Sequence, residues 1–192
     1  MTSLRSDDAP ASTAKSSDKD ETADLPEAPR GASAVGRAVT IRRPRAELFA
    51  CWRDFGRLAS FMENVERVEP IDGKRSHWVV KAPGGETVEW DARITDEREG
   101  ELIAWASEEG ADIANSGRVA FRDAGARGTV VTATIAYDPP GGGVGRLIAK
   151  LFQREPGIQA RRDLRRFKQL METGEIATGA RNRRVESEEG QG

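Results

Sequence analysis

Between Val65 and Tyr137 apolar residues recur at every second position in six short runs, and beyond Asp138 to Gly143 (DPPGGG) the recurrence lengthens to that of a helix. Runs joined by turns this short can pair only with antiparallel neighbours, because a parallel partner needs a crossover of a dozen or more residues. The segments Val65 to Ile71, His77 to Ala82, Thr87 to Ile94, Leu102 to Ser107, Gly117 to Phe121 and Val131 to Tyr137 therefore read as six strands of one meander. Asp72-Gly73, Pro83-Gly84-Gly85, Glu99-Gly100-Glu101 and Asp123 to Gly128 supply turns between them. The alternation is clearest where Val88, Trp90, Ala92 and Ile94 oppose Thr87, Glu89, Asp91 and Arg93, which predicts one dry face and one wet face.

A seventh strand precedes the meander. Ala38, Thr40 and Arg42 alternate with Val39, Ile41 and Arg43, so a strand is expected over Arg37 to Arg43, and Pro44 ends it. Leu48, Phe49 and Trp52 then recur at helical spacing, and Asp54 is placed to cap a second helix carrying Phe55, Leu58, Phe61 and Met62. At the other end of the meander, Val144, Leu147, Ile148, Leu151 and Phe152 form one apolar stripe and Leu164, Phe167, Leu170 and Met171 a second. Pro156-Gly157 between them should kink or interrupt that helix, and Gly174 should stop it. The expected class is α+β, a seven-stranded antiparallel sheet with its helices segregated to the two ends of the chain.

Both termini differ from this pattern. Residues 1–34 offer Leu4 and Leu25 as the only large apolar side chains after Met1, and residues 174–192 have no apolar periodicity, so each is expected to be a disordered tail around one domain, 35–173. One cysteine, Cys51, and one histidine, His77, cannot build a structural zinc site or a disulfide framework, and no metal or cofactor is expected. No run approaches the ~18 apolar residues of a spanning helix, and the N-terminus lacks a signal-peptide core, which predicts a cytoplasmic protein. A formal net charge of −2 gives no argument for nucleic acid, and none is expected as a partner.

The element order, with FMENVERV (Phe61 to Val68), HWVVKAPGG (His77 to Gly85), VEWDARIT (Val88 to Thr95), IAWASEEG (Ile103 to Gly110), GRVAF (Gly117 to Phe121) and DLRRFKQLME (Asp163 to Glu172), resembles the bacterial polyketide cyclase/dehydrase-like proteins. These belong to the START-related, or SRPBCC, superfamily and share the helix-grip fold of the birch-pollen allergen. The resemblance covers about Val35 to Thr173. It implies a curved sheet gripping a long C-terminal helix, with a cavity between them for a hydrophobic small molecule such as a lipid, a quinone or a polyketide-like compound. Superfamily members include carriers, receptors, aromatases and oxygenase subunits, so membership names no reaction. Binding or carrying is the leading expectation, a cyclase, aromatase or dehydratase the alternative, and an interaction module with a closed core the third.

Several residues are candidates for a site. Trp78, Trp90, Trp105, Phe121 and Tyr137 lie on different strands and, with Leu147 and Leu151 of the last helix, are expected to line the cavity; plain core is the competing role for each. Glu89 and Asp91 share a strand face and form a candidate carboxylate pair, although that face is the polar one. His77 reads as an edge or surface histidine, Cys51 as a small buried hydrophobe. Gly141-Gly142-Gly143-Val144-Gly145 lacks the context of a phosphate loop and reads as a hinge at the cavity mouth. Arg161, Arg162, Arg165 and Arg166 occupy one side of the last helix, either as a solvated face or as a contact for anionic membrane lipid.

Overall fold

The computed structural model describes residues 33–82, 85–111, 113–138 and 156–176. Seven strands, β1 (Ser33–Ile41), β2 (Val65–Pro70), β3 (Arg75–Lys81), β4 (Thr87–Arg98), β5 (Leu102–Ser107), β6 (Ala114–Asp123) and β7 (Thr129–Asp138), form one sheet. Their order is β1-β7-β6-β5-β4-β3-β2 and every pairing is antiparallel, so the meander folds back strand by strand and β1 closes on its last member. Helix α1 (Arg45–Arg53), a 3-10 turn (Phe55–Arg57) and the single-turn helix α2 (Leu58–Phe61) connect β1 to β2 from one edge of the sheet to the other. Helix α3 (Pro156–Thr173) lies against β1 and α2. This is the helix-grip arrangement that the resemblance implies. Residues 139–155, with the Gly141–Gly145 hinge, the first stripe of the expected last helix, Leu147 and Leu151, lie outside the described residues.

Several boundaries differ from the sequence expectation: β1 begins at Ser33 rather than Arg37, β4 runs on to Arg98, and β6 spans Ala114–Asp123. Strand β1 ends at Ile41 rather than Arg43, because α3 captures the next two residues: the Arg42 N–H donates to Glu172 Oε1 at 2.8 Å and Arg43 Nε donates to the Met171 carbonyl at 2.7 Å. Asp54 stands at the N-cap of the 3-10 turn, but its carboxylate makes no capping bond; only its carbonyl closes the turn, accepting the Arg57 N–H at 2.9 Å. The Asp72 turn follows the expected chemistry. Its Oδ1 accepts the N–H groups of Lys74 and Arg75, and the Arg75 guanidinium on Oδ2 is the main reason its carboxyl is lowered to about 2.

Strand register decides which residues face the helices. Trp78 pairs with Trp90, Ser76 with Ala92, Ile94 with Trp105 and Trp105 with Gly117, so these share the inner face while His77, Glu89 and Asp91 occupy the outer one. The inner face is packed by Phe49 and Trp52 of α1, Phe61 of α2 and Phe167 of α3. Trp52 sits 5.1 Å from Phe167, 5.3 Å from Phe61 and 6.4 Å from Phe121 of β6, centroid to centroid, and Phe49 is 5.8 Å from Phe121. Phe61 and Phe167 are both fully buried. Edge-to-face contacts of this kind add about 0.5–1.5 kcal/mol per pair to area burial.

Polar clamps fix α3 over this core. Arg166 Nε donates to the Phe61 carbonyl at the end of α2, and the Glu63 N–H donates to Asp163 Oδ1, both at 3.0 Å. Burial raises the Asp163 carboxyl to about 6, against the lowering effect of the bonds from Glu63 and Gln159. Lys168 Nζ donates to the Thr40 carbonyl at 2.6 Å, which ties the other end of the helix to β1.

Candidate ligand site

Beyond the aromatic plug, the inner face continues over β3, β4 and β5 as a floor of three tryptophans. Trp78 and Trp90 stack across the strand pair with centroids 6.1 Å apart and planes 7° from parallel. Trp105 lies across β6 because its cross-strand partner is Gly117: a side chain there would run into the indole and into the Thr134 carbonyl oxygen. Trp78 Nε1 donates to Ser76 Oγ at 3.0 Å, which satisfies a buried polar pair at the base of the floor.

A cavity opens between this floor and the helices. Trp52, Phe55, Leu58 and Met62 line it from above and Ser76, Trp78, Arg93, Ile94 and Trp105 from the sheet. Its free volume is about 20 Å³, room for about one water as it stands. The lining contains no carboxylate and no imidazole among the described residues. A larger groove of about 270 Å³ lies on the outside, between Arg42 to Arg45 and the β6–β7 turn, and is shallow and open.

Of the candidate lining residues, Trp78 and Trp105 border the cavity and Trp90 stands directly behind Trp78, joining the main core to a smaller cluster of Ala82, Val88 and Ile113. Phe121 is placed in the plug, 3% exposed and held by Phe49 and Trp52, because α1 crosses the sheet at that level. Tyr137 belongs to β7 opposite Asn115, with its side chain outside those described. The helix contribution from Trp52, Phe55, Leu58 and Met62 is absent from the expectation, although their spacing places them on the apolar faces of two successive short helices.

The outer-face residues assemble differently from their separate readings. His77 pairs in register with Asp91, its Nδ1 2.7 Å from Asp91 Oδ1 and its Nε2 3.4 Å from Glu89 Oε2. The bond to Asp91 is the main reason the imidazole is raised above its usual 6.5. These three side chains point away from the cavity and form a half-exposed surface cluster. No group of three or more His, Cys, Asp or Glu side chains able to hold a metal occurs among the described residues. Cys51 is buried and its thiol is pushed up by that burial, which suits a packing role. In the arginine quartet, Arg166 is committed to the Phe61 carbonyl and Arg162 stands 3.8 Å from Glu63, while Arg161 and Arg165 are exposed. Among the described residues no helix is long and apolar enough to cross a membrane.

A family model described as polyketide cyclase / dehydrase and lipid transport matches residues 41–165. A crystal structure of the Deinococcus radiodurans protein DR_A0006 is similar, with 43% identity, a TM-score of 0.61 and coverage of 74% of this chain and 100% of that one. The Zhui aromatase/cyclase of Streptomyces sp. R1128 shares the fold at 16% identity and TM-score 0.60, over 76% of this chain and 99% of that one. A curated relative from Streptomyces lincolnensis, an uncharacterized 17.2 kDa protein of the melC2-rnhH intergenic region, is 28% identical over 149 residues, 77% of this chain and 95% of its own.

Proposed function

The chain belongs to the polyketide cyclase / dehydrase and lipid transport family, and on that premise we propose that it binds or carries a hydrophobic small molecule on the inner face of its sheet. The unit that does so is the segment 35–173. The observation that carries the proposal is the tryptophan floor: Trp78 and Trp105 border a cavity whose remaining walls are apolar except for Ser76 and Arg93. Apolar and aromatic walls with a few polar groups are the composition of small-molecule sites. At about 20 Å³ the cavity must widen to admit such a ligand. The seam that widens is the one between the sheet and the α1–α2 segment, since residues from both sides line it.

A cyclase or dehydratase needs an acid or base facing its substrate. The described lining has Ser76 and Arg93 for this, while His77, Glu89 and Asp91 face outward. Carriage therefore fits these residues better than catalysis. Native mass spectrometry of the purified full chain, followed by solvent extraction, tests the reading: a retained apolar compound supports it. Protein that is ligand-free from its native source and that binds no apolar probe would count against it.

A further inference from the structure

A cavity that must widen needs a wall that moves, and one wall residue, Met62, is held from outside by α3. The peptide groups on its two sides are both gripped. The Phe61 carbonyl before it accepts from Arg166 Nε, and the Glu63 N–H after it donates to Asp163 Oδ1, each at 3.0 Å. Beyond these two groups the chain is fixed: Phe61 is fully buried in the plug, and the Asn64 carbonyl accepts the Lys81 N–H of β3 at 2.8 Å. The movable piece is therefore Met62 with the peptide that follows it. Its unbranched, flexible side chain is the part of the cavity wall best able to adapt.

The two grips differ in chemistry. Arg166 keeps its charge at any ordinary pH. Asp163 does not. Half-buried where α3 meets the turn, its Oδ1 also accepts Gln159 Nε2 at 3.0 Å, and burial raises its carboxyl to about 6. Among the described residues the charged groups around it are Arg162 and Arg166 on its own helix and Glu63 on the turn, with Arg162 3.8 Å from the Glu63 carboxylate. The Glu63 charge adds to the effect of burial and the Arg166 charge opposes it. Protonation leaves Oδ1 able to accept both bonds and removes a charge from a buried position. A closed latch therefore holds the proton more tightly than an open, hydrated one, whose carboxyl titrates near the ordinary 3.8. The extra stability of the closed form is complete below that value and is lost as pH rises through about 6.

Resting on the ligand-binding reading above, we propose that Asp163 is a pH-sensitive latch on the cavity wall. Protonated, it holds the Met62–Glu63 peptide against α3; ionised, it releases that peptide more readily, so the cavity widens and admits its ligand faster at neutral than at acidic pH. Asp163 acts through Met62 and is a positioning residue.

Two measurements on the full chain test this. The Glu63 amide, followed by NMR hydrogen exchange and corrected for the intrinsic rate, should be about tenfold better protected at pH 5 than at pH 7.5, the ratio required by a carboxyl that titrates near 6 when latched and 3.8 when open. Nile red, uncharged over this range, should associate several-fold faster at the higher pH. Asp163→Asn keeps an oxygen for the Glu63 N–H and cannot ionise, so both pH effects should vanish. The variant also separates Asp163 from His77, whose imidazole titrates near neutrality on the outer face. Where the variant folds poorly, the wild-type comparison still decides. Equal protection of Glu63 at the two pH values, association rates that do not change with pH, or pH effects that persist in Asp163→Asn overturn this inference and leave the binding reading standing. Failure of Nile red to bind at either pH overturns the two together.

Discussion

The two halves of the inner sheet face are built from the same residue types and end in opposite states. Toward the level of Phe121 and Val131, aromatic rings from α1, α2 and α3 interlock with the sheet and the side chains are buried. Toward Trp78, Trp90 and Trp105, the first two rings stack on each other, the third lies over Gly117, a small cavity remains, and buried donors go unpaired. The difference arises from what stands opposite. Phe167 and Trp52 fill the space over the first half, whereas over the second Trp52, Phe55, Leu58 and Met62 leave a small cavity above Trp78 and Trp105. Aromatic content alone therefore does not distinguish core from site; the partner across the gap does.

The largest expected effect falls on the packed half. Phe167→Ala removes a fully buried ring with Trp52 and Phe61 as neighbours and should destabilise the fold by about 3–5 kcal/mol, measured by denaturant unfolding, with no change in probe affinity for the molecules that remain folded. A much smaller loss would show that the plug is looser than its geometry implies and would blur the contrast between halves.

A smaller effect is expected at Gly117, which allows Trp105 to lie flat. Gly117→Val should lift the indole into the cavity, lower stability by about 1–3 kcal/mol and weaken binding of an apolar probe more than tenfold. Retained affinity would mean that Trp105 does not form the floor.

The smallest effect lies on the outer face. Because Asp91 and Glu89 raise the His77 pKa, the protonated imidazole stabilises the fold fully below the unfolded value of about 6.5, and the contribution fades as pH rises through the raised folded value. With these groups partly exposed, the size should be a few tenths of a kcal/mol. Asp91→Asn should flatten that part of the stability profile above pH 6.5 and leave probe binding unchanged. A change in binding would connect the outer cluster to the site and break the separation of the faces.

Much of this architecture is legible in the sequence, and what is not has identifiable causes. β5 matches its expected span, Leu102–Ser107, and the Asp72-Gly73 turn forms where expected, since both depend on local period and turn chemistry. The start of β1 at Ser33 is harder to read: Ser33, Ala34, Gly36 and Ala38 carry little alternation, and the strand is held by β7, a partner distant in the chain. His77, Glu89 and Asp91 are each visible alone, but their meeting depends on the β3–β4 register, which a one-residue slip would undo. The split between plug and floor is invisible for a related reason. Trp52 reads as part of one short helical stripe and Phe55, Leu58 and Met62 as part of the next, and periodicity does not say which sheet residues a stripe will cover.

The central claim, that the tryptophan half is a binding floor and the plug half is core, is most directly tested by titrating an apolar fluorophore such as Nile red into wild type and Trp105→Ala while following unfolding of both. The account predicts saturable one-to-one binding by wild type and about a tenfold loss of affinity in Trp105→Ala, equivalent to about 1.4 kcal/mol, with a stability loss well below that of Phe167→Ala. Absence of saturable binding by wild type, together with a stability loss in Trp105→Ala as large as that of Phe167→Ala, would contradict it and make both halves core.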